Sequence, residues 1–499
     1  MTDARAAPQT KSGARKPTRV GGAGAPAGIS WALFEFARNP FFMLIVTYVF
    51  PPYFAAFVIG DPVEGQASVA EATKWAGLIG ALTAPVLGAM MDRGGARKPL
   101  MAVFLMMLMV SGISLWWSLP GSVDAEGVFH PPVAGLGATG TMMFLVLGFV
   151  GYTYSEMMHN AMLRSAGRPE SLSQISGNGI GLGQLSSALC LTAVVVVAIA
   201  AAQMGTAEGG FVLQRGIGPF VAVWLVVFVL PFFIFVPDGR PEGGTWGGAA
   251  TQLFSKNGKL DPIGAIFGCF SYIRGLFRAF PETMKYLVAA LIYKDGMTAL
   301  LALAGVYTAG VLGWNVTEGA LYGIWASIAG VFGGLVLAGR MDRMLGARRA
   351  IILQLLLLCI AVAIALGITQ DTIFFGLVPS GHAVHGLPFF NSLSDMTYLG
   401  LITIIAALAA ANISSSRYMM VTLAPKERLS EFFGLYAMSS TATVWLGPLL
   451  TEFFTRQSGD QRIGFSPVLG LLFVGLLLML TLKKTTGDKG QLTGDGPAH

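Results

Sequence analysis

Apolar residues gather along this chain into long stretches parted by shorter polar ones. Reading runs of about 20 apolar residues as helices of bilayer length, the pattern predicts twelve spans, at 29–58, 74–92, 99–118, 138–160, 174–202, 218–236, 285–312, 317–340, 350–369, 396–422, 431–455 and 465–483. Most connections are short, but 237–284 is long and separates six predicted helices from six. The expected organisation is a tail at 1–28, a first six-helix half at 29–236, a loop at 237–284, a second half at 285–483 and a tail at 484–499. In the middle loop Ile263, Ile266, Phe267, Phe270, Ile273, Phe277 and Phe280 recur at mostly three- and four-residue spacing, with Arg274 and Arg278 among them. Residues 262–281 thus read either as an amphipathic helix on the inner membrane surface or as a linker helix packed on the bundle.

Composition agrees with the pattern. Charged residues make up 12% of the chain, about half the ~25% usual for soluble domains, and 54% is hydrophobic. With a mean hydropathy of +0.66, an ordinary soluble enzyme, a disordered tail protein and a disulfide scaffold are excluded. Cys190, Cys269 and Cys359 lie far apart and form no metal-ligand or redox spacing. The net charge of +6 is not a nucleic-acid patch: on the predicted topology 25 of the 32 Lys and Arg residues fall on one face and four on the other. The positive-inside rule makes the first face cytoplasmic, with both termini inside. Those cations meet anionic lipid there, and the plasma (inner) membrane is the expected location. No apolar run follows the basic residues within 1–28, so that tail does not read as a secretory signal.

The chain also repeats itself. GAMMDRGGARK at Gly88–Lys98 returns as AGRMDRMLGARR at Ala338–Arg349, each between the second and third helix of its half. Glu170, Leu172, Ser173 and Gly177 return as Glu427, Leu429, Ser430 and Gly434 at the start of each fifth helix. Two matched landmarks argue for duplication, and hence for an all-α membrane protein of twelve transmembrane helices in two pseudo-symmetric six-helix halves. Gly88, Asp92, Arg93, Gly95, Arg97 and Lys98 resemble the signature loop of the major facilitator superfamily; Ala96 stands for a usual arginine, and the second copy, with Asp342, Arg343 and Arg348, is degenerate. SWALFEFARNPFF and FPPYF within Ser30–Phe54, IYKDG at Ile292–Gly296 and SEFFGLYAMSSTATVWLGP at Ser430–Pro448 resemble the vacuole-effluxer-like branch of that superfamily. That branch includes the fungal vacuolar amino-acid effluxer. The resemblance implies the major facilitator fold and a secondary transporter.

Physically, a short basic turn at the inner end of a helix pairs with carboxylates and with the negative ends of neighbouring helices. Gly88, Asp92, Arg93, Arg97, Asp342, Arg343 and Arg348 are therefore expected to form a cytoplasmic gate, against the plainer reading of a turn that only satisfies the charge rule. Ionisable groups at bilayer depth cost about 2.5–3.5 kcal/mol on insertion scales, and here they cluster. The first helix carries Glu35, Arg38 and Asn39, with Glu35 and Arg38 at i,i+3 and able to pair. The fourth carries Tyr152, Tyr154, Glu156, His159 and Asn160; the seventh Lys294 and Asp295; the tenth Asn412, Ser414, Ser415, Ser416 and Arg417. The resemblance implies that these four helices line a central cavity. Glu35, Arg38, Asn39, Glu156, Asn160, Lys294, Asp295, Asn412 and Arg417 are the expected substrate-binding or ion-coupling residues. Arg38 or Arg417 suits an anionic group, and Glu35 or Asp295 suits a proton-coupling carboxylate. Structural ion pairs between helices are the alternative, and Glu156, His159 and Arg417 could instead snorkel to the headgroups.

Gly177, Gly179, Gly181 and Gly183 do not have dinucleotide-loop spacing; they give small-xxx-small pairs for close helix packing, as do Gly330 and Gly334. His382 and His385 lack the further ligands a metal site needs. Pro51, Pro52, Pro85 and Pro448 are either bending points or static packing features. The expectation is a non-enzymatic, monomeric secondary transporter without cofactor or metal. It would move a small polar solute, first an amino acid or related metabolite by export, with protons as the candidate coupling ion. The competing classes are a membrane-embedded lipid-modifying enzyme and a non-transporting receptor or scaffold.

Overall fold

The computed structural model describes residues 25–93, 96–167, 172–204, 211–238, 255–256, 259–260, 274–381, 389–424, 432, 435–436 and 444–483. Twelve principal helices occupy them. Helix α1 runs over Ala25–Pro40 and continues through wide π-type turns at Phe41–Tyr48, a helical turn at Phe50–Tyr53 and further wide turns at Phe54–Ile59. Pro51 and Pro52 lack backbone N–H groups, and the ladder adjusts beside them: the Val49 N–H donates five residues back to the Leu44 carbonyl at 3.2 Å. There follow α2 (Pro62–Arg93), α3 (Arg97–Ser114), α4 (Gly137–Ala161), α5 (Leu172–Gln203) and α6 (Val212–Phe235). The second set is α7 (Pro281–Val311), α8 (Val316–Phe332), α9 (Ala347–Leu366), α10 (Leu393–Leu423), α11 (Leu446–Ser458) and α12 (Gln461–Thr481). Helix α8 extends through wide turns at Gly333–Leu337 into Ala338–Leu345. Three two-residue antiparallel hairpins sit in connections, at Ser122–Val123 with Phe129–His130, Ser255–Lys256 with Lys259–Leu260, and Thr372–Ile373 with Val378–Pro379.

Among the described residues, eight of these helical stretches are long and apolar enough to cross a membrane. Outward-facing apolar side chains at helical spacing, such as Val223, Val227, Leu230 and Ile234 on α6, suit a lipid surface rather than water. Helix starts follow local chemistry. Asn315 and Glu318 form a capping box at α8, and Ser392 and Asp395 another at α10. Asp238 caps α3 from a distance: its Oδ1 accepts from the backbone N–H groups of Arg97 and Lys98, at 2.7 and 2.9 Å.

The largest differences from the pattern reading are at the starts of α2 and α11. Helix α2 begins at Pro62, well before residue 74. Its first turns carry Glu64, Gln66, Glu71 and Lys74, polar residues that an apolar-run criterion passes over and that a partner helix satisfies here. Helix α11 is described from Leu446, after a turn at 444–445. Pro448 thus lies in the first turn of the described helix, where its missing N–H costs little. Of the middle-loop segment 262–281, residues up to 273 lie outside the described set; 274–279 are helical.

Helix α1 lies against α5 and α6, α3 against α4, α7 against α12, and α9 against α10. Between the two sets, α2 meets α11 and α5 meets α8. The small residues of α5 explain its approach to α1: a Cβ added at Gly179 would lie 3.1 Å from the Trp31 ring, and one at Gly183 would lie 3.4 Å from Glu35 Cβ. Gly181 faces open space, and Gly177 is outside the residues whose side chains are described. On α8 the close approach, to Ala407 of α10, is made by Gly333; Gly330 is only in ordinary contact and Gly334 in none.

Candidate functional site

Helices α1 and α4 build the first polar group. Arg38 is almost wholly buried, with 3% of its side chain exposed. Its Nη2 donates to Glu35 Oε2 at 2.8 Å, and its Nη1 donates to Glu156 Oε2 and to the Tyr152 carbonyl, both at 3.3 Å. The guanidinium also lies 4.0 Å from the Tyr152 ring centre. Burial grades outward: Glu35 is 18% exposed and Glu156 48%. One guanidinium therefore bridges an interior carboxylate and one at a rim. The i,i+3 spacing had predicted the first of these bonds. Asn160 is exposed one turn beyond Glu156. Asn39 turns away from the ion group, and its Nδ2 donates to the Gly183 carbonyl at 2.9 Å and Ser187 Oγ at 2.8 Å on α5. His159, considered above as a snorkelling residue, is fully buried beside Glu35, with Nδ1 3.3 Å from Glu35 Oε1.

The corresponding helices of the second set, α7 and α10, are organised differently. Tyr286 donates to the Ser416 carbonyl at 2.6 Å, and the Tyr293 hydroxyl shares a 2.8 Å hydrogen bond with Ser416 Oγ. Ser416 donates to Asn412 Oδ1, Asn412 donates to Gln354 Oε1 of α9, and Gln354 donates to Ser415 Oγ, at 3.3, 3.4 and 3.1 Å. This chain of neutral groups is buried. Lys294 and Asp295, adjacent and so about 100° apart, diverge. Lys294 Nζ lies 3.3 Å from the Tyr436 ring centre, whereas Asp295 Oδ2 accepts from the Gly447 N–H at the start of α11, at 2.8 Å. A carboxylate there faces the positive end of a helix. Arg417 is exposed on α10.

The loop residues are only partly visible. Side chains of Gly88, Asp92 and Arg93 lie outside the described residues. Arg97 begins α3 as above, and Arg348 Nη2 donates to the Leu480 carbonyl at 3.1 Å. Arg343 is exposed. Asp342 Oδ1 is buried without a hydrogen bond among the described residues.

A third group escaped the sequence reading. At the predicted outer end, Arg456 of α11 donates to Glu64 and Glu71 of α2 at 3.0 and 2.9 Å and to its own Glu452 at 2.5 Å. Lys74 reaches Glu452 across the same contact at 2.5 Å. Below them Gln66 donates to Thr455 Oγ1 and the Gln461 carbonyl, both at 3.0 Å, and Gln461 donates to the Pro62 carbonyl at 2.7 Å. Tyr48 of α1 meets Tyr322 of α8 edge-on at 5.0 Å, beside Trp314 and Tyr398. Glu452 and Arg456 are i,i+4 on α11, but the predicted span at 431–455 stops one residue short of Arg456. Their register against α2, nearly 400 positions away in sequence, is not legible in the sequence.

Comparison with known proteins agrees with this architecture. Residues 159–491 match the family described as vacuole effluxer Atg22 like. Autophagy-related protein 22-1 of Aspergillus niger is 24% identical over 338 residues, covering 64% of this chain and 48% of that protein. The chain thus spans about half the length of the curated fungal relatives it matches. The uncharacterized MFS-type transporter YxiO of Bacillus subtilis is 20% identical over 478 residues, covering 94% of this chain and 97% of that one. Among solved structures, a D-xylose-proton symporter superposes with a TM-score of 0.59 at 13% identity, covering 93% of this chain and 98% of its own. The nucleoside transporter NupG superposes with a TM-score of 0.59 at 11% identity, covering 92% and 100%. These likenesses show the fold, that of the major facilitator transporters. With two thirds of its length matched to one family, this multi-pass integral membrane protein belongs to the Atg22-like vacuole effluxers.

Proposed function

We propose that the protein is a secondary active transporter that exports an amino acid or a related small polar solute by alternating access. The observation that carries this reading is the Arg38 bridge between buried Glu35 and half-exposed Glu156. The contact to Glu156 is long, at 3.3 Å, and Glu156 is 48% exposed. A zwitterion fits such a pair: its carboxylate to the guanidinium, which accepts planar bidentate partners, and its ammonium to Glu156. Exposed Arg417 and Asn160 offer further polar contacts, and Lys294, Asp295, Asn412 and Asn39 hold the helices behind them. Relatives and structural neighbours named as MFS-type, nucleoside and xylose–proton transporters support a transporter over a lipid-modifying enzyme or a scaffold.

Two six-helix units, 29–236 and 285–483, would rock about this site. The α2–α11 ion cluster draws them together at the outer end. Gly88, Asp92, Arg93, Arg97, Asp342, Arg343 and Arg348 would gate the inner one. The cation asymmetry supports cytoplasmic termini, whereas relatives described as vacuole effluxers give no support for the expected plasma-membrane location; the protein would act as a monomer with protons as coupling ion. The test is uptake and counterflow of a radiolabelled amino-acid mixture into proteoliposomes, with and without a pH gradient. Flux above empty liposomes that Arg38→Met removes is expected. Flux absent under every gradient, or unchanged in Arg38→Met, overturns the reading.

A further inference from the structure

His159 has an unusual setting. Its ring is sandwiched between Trp31 at 3.9 Å and Phe34 at 4.3 Å, both within 15° of parallel, with Phe232 of α6 at 5.8 Å. Two reciprocal hydrogen bonds fix it: Trp31 Nε1 donates to the His159 carbonyl at 2.9 Å, and His159 Nε2 lies 2.8 Å from the Trp31 carbonyl. A carbonyl only accepts, so Nε2 carries a hydrogen in every state. The other nitrogen, Nδ1, is buried, makes no hydrogen bond of regular geometry, and has Glu35 Oε1 at 3.3 Å. With Glu35 ionised and His159 neutral, two lone pairs face each other at 3.3 Å in a largely buried site. One added proton removes that conflict, either as imidazolium beside carboxylate or as carboxylic acid beside imidazole.

The surrounding charges agree. From α1 the facing groups are Glu35 and, behind it, Arg38; from α4 itself Glu156, through Arg38. Helix α6 contributes the Phe232 ring, and α5 brings Gly179 and Gly183 against Trp31 and Glu35. With the proton present, two carboxylates balance a guanidinium and an imidazolium. Without it, Glu35 and Arg38 balance each other inside, and the remaining negative charge is that of half-exposed Glu156.

We propose that Glu35 and His159 form a one-proton binding site, with the proton between Oε1 and Nδ1, and that this is the ion-coupling site of the transporter. Loading takes a proton from water and release returns it to water, with no other bond changed. Arg38 is shared with Glu156 at the exposed rim, so a solute charge arriving there is felt beside the proton. The inference rests on the transport reading above, and it makes His159 a coupling residue.

The chain has five histidines, so isotope-labelled histidine in lipid nanodiscs gives a short set of ring-nitrogen signals. The signal lost in His159→Gln belongs to His159. Expected are an Nε2 protonated at every pH, an Nδ1 that gains a proton on acidification, and displacement of that step by about one pH unit or more, a tenfold change in proton affinity, in Glu35→Gln. A His159 signal indifferent to Glu35→Gln, or an Nδ1 bare throughout, overturns the proposal. In proteoliposomes, Glu35→Gln and His159→Gln are each expected to take up amino acid equally with and without a pH gradient; stimulation by the gradient retained in both overturns it. If His159→Gln does not fold, Glu35→Gln carries the test, because a carboxamide still accepts from Arg38. The nanodisc measurement needs no solute, so a protein without amino-acid flux refutes the transport reading and leaves the proton site to be judged separately.

Discussion

Helices α1 with α4, and α7 with α10, occupy matching places in the two halves, yet they solve burial of polar groups in opposite ways. The first pair concentrates charge: Glu35, Arg38, Glu156 and His159 lie within one connected group. The second spreads neutral hydroxyls and amides along a hydrogen-bonded chain from Tyr286 and Tyr293 through Ser416 and Asn412 to Gln354. Lys294 and Asp295 are sent to other partners, and Arg417 lies exposed on α10. A buried ion group responds strongly to any change in charge, because each member was desolvated against the others. A neutral network loses only one bond at a time. One pair of helices thus buries a charged group and the other a neutral network.

The largest test of that contrast is Arg38→Met. Removing one partner of a buried ion group costs about 3–5 kcal/mol, so thermal unfolding in detergent is expected at a markedly lower temperature. Glu35→Gln combined with Arg38→Met is expected to recover most of the loss. If the double variant is as unstable as the single, the charges are not coupled as described. Next is Asp295. Its replacement by Ala leaves the Gly447 N–H without an acceptor and is expected to cost about 1–3 kcal/mol, while Asp295→Asn, which keeps an acceptor, is expected to stay near the parent. Equal losses in both would mean that the charge matters there too, and the contrast between halves would weaken. Ser416→Ala is expected to cost about 1 kcal/mol; a loss as large as that of Arg38→Met would show that the neutral chain is as cooperative as the ionic group. Smallest is Arg456→Gln at the partly exposed α2–α11 cluster, expected to cost under about 1 kcal/mol. That difference should shrink further at high salt, measured as the gap in melting temperature from the parent.

Much of this was legible in the chain. A bilayer-length apolar run announces a helix without any knowledge of its neighbours, and the Glu35–Arg38 pair needs only the helical repeat. The i,i+3 rule says nothing of Glu156, which reaches Arg38 because α4 crosses α1 at that height. His159 looked like an interfacial residue from its place near the end of a predicted span, and only the stacking of Trp31 and Phe34 reveals it as buried. The start of α2 was missed because Glu64 and Glu71 read as loop until Arg456 is seen across from them. In each case the missing information was the register between helices far apart in sequence.

The wide turns between Phe41 and Tyr48 give α1 a change of phase. Each i→i+5 turn carries an extra residue, so side chains beyond it are rotated relative to those before it. Before the shift, Trp31, Glu35 and Arg38 address α4; at its far end, Tyr48 addresses Tyr322 and the Thr47 carbonyl abuts Gly305 of α7. A single uninterrupted helix would have to choose one of these neighbours along its length. By slipping phase midway, α1 is a fastener to its own half at one end and a bearing surface for the opposite half at the other.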